Sequence, residues 1–292
     1  MSTPPSSRSP IGPAPAAERR SDIIRDLLVA APVAPGIMLL GARWFEYAPG
    51  SAAAVLAVYA VVALLILRTY PGALGAVPGN AGLGRANRIT LARVALALPI
   101  AGVAVLPGLA GTGVLWAVVA LSLIVLALDG VDGWVARTTG TATRFGARFD
   151  METDAALLLA LSVVAWRAGP AGAWVLGIGL LRYAFVAAGL FEPRLRGDLP
   201  HEQVRRKTVC VIQTSALLVA VAPLGRPALQ VVIALGALVL LLWSFAKDTR
   251  WLLRTGYADP ANLVSEVLHT EASPESAKPN AAPRRRSDFP VA

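Results

Sequence analysis

Apolar stretches of near-membrane length recur along this chain, separated by short polar breaks. They fall at about 27–41, 51–67, 91–106, 112–131, 153–167, 172–191, 208–224 and 228–246. A helix needs about 20 residues to cross the hydrocarbon core, with a lower bound near 17, so the polar flanks of the shorter stretches are expected to be helical too. Backbone polar groups in lipid must be satisfied within helices or a closed barrel. The runs lack the period-two alternation of barrel strands. The expected fold is therefore all-α, a polytopic membrane helical bundle of six to eight spans. Composition agrees: 55% of residues are hydrophobic and 15% charged, against about 25% charged in a soluble domain. The first stretch is the weakest. It holds Pro32 and Pro35, so a kinked, re-entrant or interfacial segment is expected there.

The basic residues sort by loop. Arg68, Arg85, Arg88 and Arg93 fall in one break, Arg137, Arg144 and Arg148 in the next, then Arg194, Arg196, Arg205, Arg206 and Lys207, then Lys247, Arg250 and Arg254. The intervening loops carry Arg43, Arg167 and Arg226 and little else. This is the pattern of the positive-inside rule. It predicts cytoplasmic termini and cytoplasmic charged loops, in the plasma membrane of a prokaryote. The net charge of +9 is thereby accounted for, and a nucleic-acid partner is not expected. One Cys and two His exclude an internal disulfide framework and argue against a zinc site of the usual kind. Residues 1–22 and 258–292 read as polar cytoplasmic tails, the latter with Arg284, Arg285 and Arg286 in solvent or against anionic headgroups.

The acids are placed unevenly. Asp129 and Asp132 are three apart at the end of one apolar run, and Asp150 and Asp154 are four apart at the start of the next. Each pair shares a helix face. The break at 138–141 lets the two helices fold back antiparallel and brings four carboxylates together near the cytoplasmic end. Carboxylates at such a depth are costly unless paired or metal-bound. Oxygen-only ligands suit Mg²⁺ or Mn²⁺. Salt bridges to Arg137, Arg144 and Arg148 are the plainer alternative. Gly130, Gly133 and Gly146 stand beside the acids and suit a bulky ligand approaching the backbone, while helix periodicity turns Glu152 away. Metal with arginine is a phosphate-handling combination, and a spare carboxylate can take a proton from an attacking hydroxyl.

The run Asp129-x2-Asp132-Gly133-x2-Ala136-Arg137-x8-Gly146-x3-Asp150-x3-Asp154 resembles the signature of the CDP-alcohol phosphatidyltransferase family, and every fixed position and gap agrees. Upstream, Asn87-Arg88-Ile89-Thr90-Leu91-x-Arg93 resembles the family's entry helix, with Ala86 where Pro is common. The resemblance covers about residues 85–246 and implies a six-span core, with the apolar hairpin at 27–67 as an addition. The expected division is a hydrophobic hairpin within 23–70 and a catalytic membrane domain at 71–257. By resemblance, Asp129, Asp132, Asp150 and Asp154 are the metal carboxylates, and Asp154 is also the general base. Gly133, Ala136, Arg137 and Gly146 line the nucleotide pocket. The implied reaction moves a phosphatidyl group from CDP-diacylglycerol to a polar or phosphorylated alcohol with release of CMP. A homodimer is also implied.

The acceptor is open. Arg182, inside an apolar span, is a candidate for acceptor contact, as are Arg194, Arg205 and Lys207. The segment Arg206-Lys207-Thr208-x4-Gln213 only loosely matches a Lys-Thr-x2-Gln pattern of the glycerophosphate branches, being two residues longer. Glycerol 3-phosphate, an inositol phosphate, serine or another polar alcohol all remain. His201 reads as a loop residue and Cys210 as a small apolar one. Two other readings compete. A membrane prenyltransferase would separate its acidic motifs onto different loops. A non-enzymatic bundle coupling ions or protons would need no glycine and arginine framing.

Overall fold

A computed structural model of the chain describes residues 16–46, 50–73, 82–107, 111–139, 143–196 and 203–255. The tails at 1–15 and 256–292, with Arg284 to Arg286, and His201 lie outside the described residues. So do the side chains of Ala136, Arg137 and Arg144.

The described residues are helical: α1 (Ala16–Ala30), α2 (Val33–Phe45), α3 (Gly50–Ala73), α4 (Arg85–Val105), α5 (Thr112–Thr139), α6 (Arg144–Ala168), α7 (Leu176–Phe191), α8 (Gln203–Val221) and α9 (Pro227–Thr255). Short 3₁₀ turns occupy Ala173–Val175 and Pro193–Arg196. The all-α expectation holds. Among the described residues, six apolar segments are long enough to cross a membrane: Arg20–Phe45, Gly50–Thr69, Arg85–Val105, Thr112–Val135, Ala173–Phe191 and Pro227–Arg254. The protein is a multi-pass integral-membrane protein. The expected spans at 153–167 and 208–224 lie in α6 and α8, which carry too many polar residues near their starts to stand among these six.

Local chemistry explains the boundaries. Pro32 caps α2 and separates it from α1, because a proline ring cannot continue the preceding helix. The first apolar stretch is thus broken in two, as Pro32 and Pro35 suggested. α1 starts at Ala16, upstream of the point where the polar tail was expected to end. Thr143 caps α6 by accepting a hydrogen bond from the Gly146 N–H at 2.9 Å. α9 opens on Pro227, whose missing N–H is harmless in a first turn. Gln230, one turn on, donates to the carbonyls of Val219, Ala220 and Ala222 at the end of α8. Those carbonyls have no partner within their own helix.

α4 is the central helix. Two thirds of its apolar window (67%) is buried, against 22–28% for the other five segments. It packs on α5 and α6 on one side and on α1, α2 and α3 on the other. The remaining segments turn large apolar side chains outward, such as Leu56, Val61 and Leu65 on α3 and Val232, Val239 and Trp243 on α9. An apolar exterior suits lipid. Lipid tails are as apolar as leucine, so association between such helices rests on close packing and small residues. Gly179 on α7 shows this: a Cβ there would meet the Leu159 Cα and the Ser162 Oγ at 2.5 Å.

Candidate metal centre and active site

Four carboxylates converge on one guanidinium. Arg93 sits two turns into α4, is 1% exposed, and is the largest fully buried side chain among the described residues. Its Nη1 donates to Asp132 Oδ2 at 2.8 Å and to Asp150, and its Nη2 donates to Asp154. Nη1 also lies 3.2 Å from Asp129 Oδ1. Thr90, on the same face of α4, donates its hydroxyl to Asp132 Oδ2 at 3.2 Å. α5 and α6 each pack on α4 rather than on one another, and α4 thereby gathers Asp129, Asp132, Asp150 and Asp154 around Arg93.

The cation they share corrects the sequence reading. Arg93 was assigned to a charged break at 68–93. It is instead an interior residue of α4. The plainer alternative named Arg137, Arg144 and Arg148 as partners of the acids. Arg148 is exposed, and among the described residues the ion pairs to the four acids come from Arg93 and Lys207.

The donor set fits a divalent cation. One oxygen from each of Asp129, Asp132 and Asp150 lies within 4.8 Å of the other two. Asp129 and Asp132 are buried and Asp150 is half-buried. Asp129 Oδ1 is buried with no hydrogen-bond partner, an expensive condition for an ionised oxygen. Among the described residues, four carboxylates face two cations, Arg93 and Lys207, the latter with its Nζ 3.5 Å from Asp129 Oδ2. That leaves an excess of two negative charges, which one divalent ion matches. Hard oxygen donors of this kind suit Mg²⁺ or Mn²⁺.

The other predicted residues separate into near and far. Gly133 is half-buried on α5 next to Asp132, and Ala136 and Arg137 lie one turn on in the same helix. Gly130 is open: a Cβ there would meet nothing within 4 Å. At Gly146 a Cβ would come within 2.6 Å of Asn87 Oδ1, so the missing side chain serves the close approach of α6 to α4. Lys207 joins the acid cluster. Arg182 bonds Glu152 and Met151, Arg205 is held by Ser244 and Asp248 on α9, and Arg194 lies near Glu192 with 60% of its side chain exposed. Cys210, half-buried on α8, points its thiol at Asp154 Oδ2 at 3.9 Å.

Asn87, Thr90 and Arg93 are the residues that sequence reasoning left out of the site. Their signal was present in the entry-helix pattern, where three polar side chains interrupt an apolar helix at three-residue spacing. That spacing keeps them along one side of α4.

The model of the CDP-alcohol phosphatidyltransferase family matches residues 83–243, more than half of the chain. The chain belongs to this family. The match begins at the turn before α4 and ends within α9, so the whole acid cluster lies inside the region characteristic of CDP-alcohol phosphatidyltransferases. The α1–α3 segment lies outside it. No curated protein and no solved structure shows significant similarity to the chain.

Family membership and the acid cluster together support a metal-assisted phosphotransfer of the CDP-alcohol type. They speak against the prenyltransferase and ion-coupled readings.

Proposed function

We propose that the protein transfers a phosphatidyl group from CDP-diacylglycerol to a polar alcohol, releasing CMP, as a step of phospholipid biosynthesis. The observation that carries this is the cluster of Asp129, Asp132, Asp150 and Asp154 around Arg93, with its excess of negative charge. In this reading Asp129, Asp132 and Asp150 would hold Mg²⁺ or Mn²⁺, and Asp154 is the fourth acid beside them. The bound ion supplies charge neutralisation for the diphosphate and for the departing CMP.

The chain's own residues divide the remaining work. The acceptor hydroxyl attacks the phosphorus that bears the diacylglycerol oxygen. A new O–P bond forms, the bond from that phosphorus to the bridging oxygen of the diphosphate breaks, and CMP leaves with the bond's electron pair. Asp154 takes the hydroxyl proton, oriented by the Arg93 Nη2 that bonds one of its oxygens. Gly133, Ala136, Arg137 and Gly146 line the nucleotide side. Among Arg182, Arg194, Arg205 and Lys207, the one supported as an acceptor contact is Lys207, because its ammonium lies 3.5 Å from Asp129 Oδ2 in the acid cluster. A phosphorylated acceptor would be drawn to that ammonium. The segregation of basic residues onto alternate loops supports a site at the cytoplasmic face, where a lipid donor and a water-soluble acceptor meet.

The test is CMP release from CDP-diacylglycerol by the protein in detergent or liposomes. Mg²⁺ or Mn²⁺ is supplied with a panel of glycerol 3-phosphate, inositol phosphate, serine and other alcohols. Release that depends on one acceptor is expected, and EDTA abolishes it. Asp154→Asn lowers turnover by about 10²-fold or more, the usual contribution of a general base, while the protein stays folded. Absence of acceptor-dependent release, under conditions where another family member is active, overturns the reading.

A further inference from the structure

We infer that Asp26, on the added N-terminal helix α1, is a positioning residue for the active site. This rests on the proposed function. The geometry that carries it is a relay. The helix that delivers Thr90 and Arg93 has no cap of its own, because its N-cap is Gly84, at φ 78°, with no side-chain hydrogen bond. Asp26, from another helix, instead braces the turn just ahead of it. Its Oδ2 accepts the Leu83 backbone N–H at 3.1 Å and the Arg88 Nε at 2.9 Å. A carboxylate there also meets the positive end of the α4 dipole. The Asp26 side chain is only 10% exposed.

From Leu83 the relay reaches the site in two contacts. Asn87 Nδ2 donates to the Leu83 carbonyl at 2.9 Å, and Asn87 Oδ1 fills the space that Gly146 leaves at the start of α6. Leu83 itself is fully buried. One turn on from Asn87 stand Thr90 and Arg93, which bond Asp132, Asp150 and Asp154. Gly82 completes the clamp. It has φ +66°, and a Cβ there would lie 2.6 Å from Asp26 Oδ2, so only glycine leaves the carboxylate its seat. The α1–α3 segment, outside the family match, thus contacts the first matched residue and sets the register of the helix that carries the buried cation.

The test uses the full chain with Asp26→Ala and Asp26→Asn, and two readouts. The first is kcat and KM for CMP release, normalised to folded protein. Asp26→Ala is expected to lower kcat by about tenfold with the donor KM within about twofold, and Asp26→Asn, which still offers one acceptor oxygen, to lie between. The second readout needs no turnover. Cys210 is the only cysteine in the chain, and its thiol faces the Asp154 that Arg93 holds. Loosening α4 is expected to raise the maleimide labelling rate of Cys210 several-fold, without loss of the folded species by size exclusion. A purely structural Asp26 would lower the melting temperature and leave both normalised readouts at the wild-type value, and that result overturns the inference. A wild type without CMP release would sink the transferase reading alone, since Cys210 labelling still decides the role of Asp26.

Discussion

Arg93 is a buried arginine whose ion-pair partners are all acids. Removing one partner of a buried ionic cluster leaves the others uncompensated, at a cost of about 3–5 kcal/mol. Arg93→Ala is therefore expected to lower the melting temperature of the detergent-solubilised protein sharply, and millimolar Mn²⁺ to restore part of the loss. Arg93→Lys should fall between, since an ammonium keeps the charge but loses the two-pronged geometry that lets Nη1 and Nη2 serve different carboxylates. Equal melting temperatures for Arg93→Ala and wild type, in EDTA, would refute this account of the site. The four acids were legible in the sequence because three- and four-residue spacings leave few ways to place them. Arg93 was not. By hydropathy an arginine at the edge of an apolar run marks a span's end, and only packing distinguishes an end from a buried counterion. Arg205 shows the same limit: its partner Asp248 lies 43 residues away, beyond any local pattern.

At the scale of elements, the helices themselves were readable because length and apolarity are local properties. How closely two helices approach is not. Gly179 and Gly102 look alike in sequence, yet their surroundings differ. A Cβ at Gly179 meets the Leu159 backbone of α6, whereas one at Gly102 meets the side chains of Val55 and Met38, nearest at 2.7 Å. Backbone cannot give way cheaply, while a methionine end repacks readily. Gly179→Ala is expected to cost about 1–3 kcal/mol by overpacking. Gly102→Ala should cost less, because the crowding falls on side chains, though the nearest, the Val55 methyl, is stiff, and the gain in helix propensity of about 1 kcal/mol offsets part of it. Thermal unfolding of both variants in one detergent checks the contrast, and equal losses would contradict it. The break between α1 and α2 was legible from Pro32. The attachment of α1 to the turn before α4 was not, since it depends on a carboxylate 57 residues from the amide it accepts.

For the whole molecule, the segregation of basic residues makes a claim about orientation. In a Cys210→Ala background, Arg226→Cys, in the exposed turn between α8 and α9, should react with a membrane-impermeant maleimide in intact cells. Pro193→Cys, in the exposed turn after α7, should react only once the membrane is opened. The reverse pattern would invert the assignment of faces. A different consequence follows from α6 and α8, the two core helices that fail as independent spans. Arg148, Asp150, Glu152 and Asp154 crowd the first turns of α6, and charges within a span resist insertion, by about 2.5–3.5 kcal/mol each at its centre and less toward its ends. During synthesis, such a segment partitions poorly into lipid by itself. Its counterion is made first: α4, with Arg93, precedes it in the chain, and α5 joins the two. The order of elements along the polypeptide is thus also an order of biogenesis, in which an earlier helix carries the charge that makes a later one admissible to the bilayer.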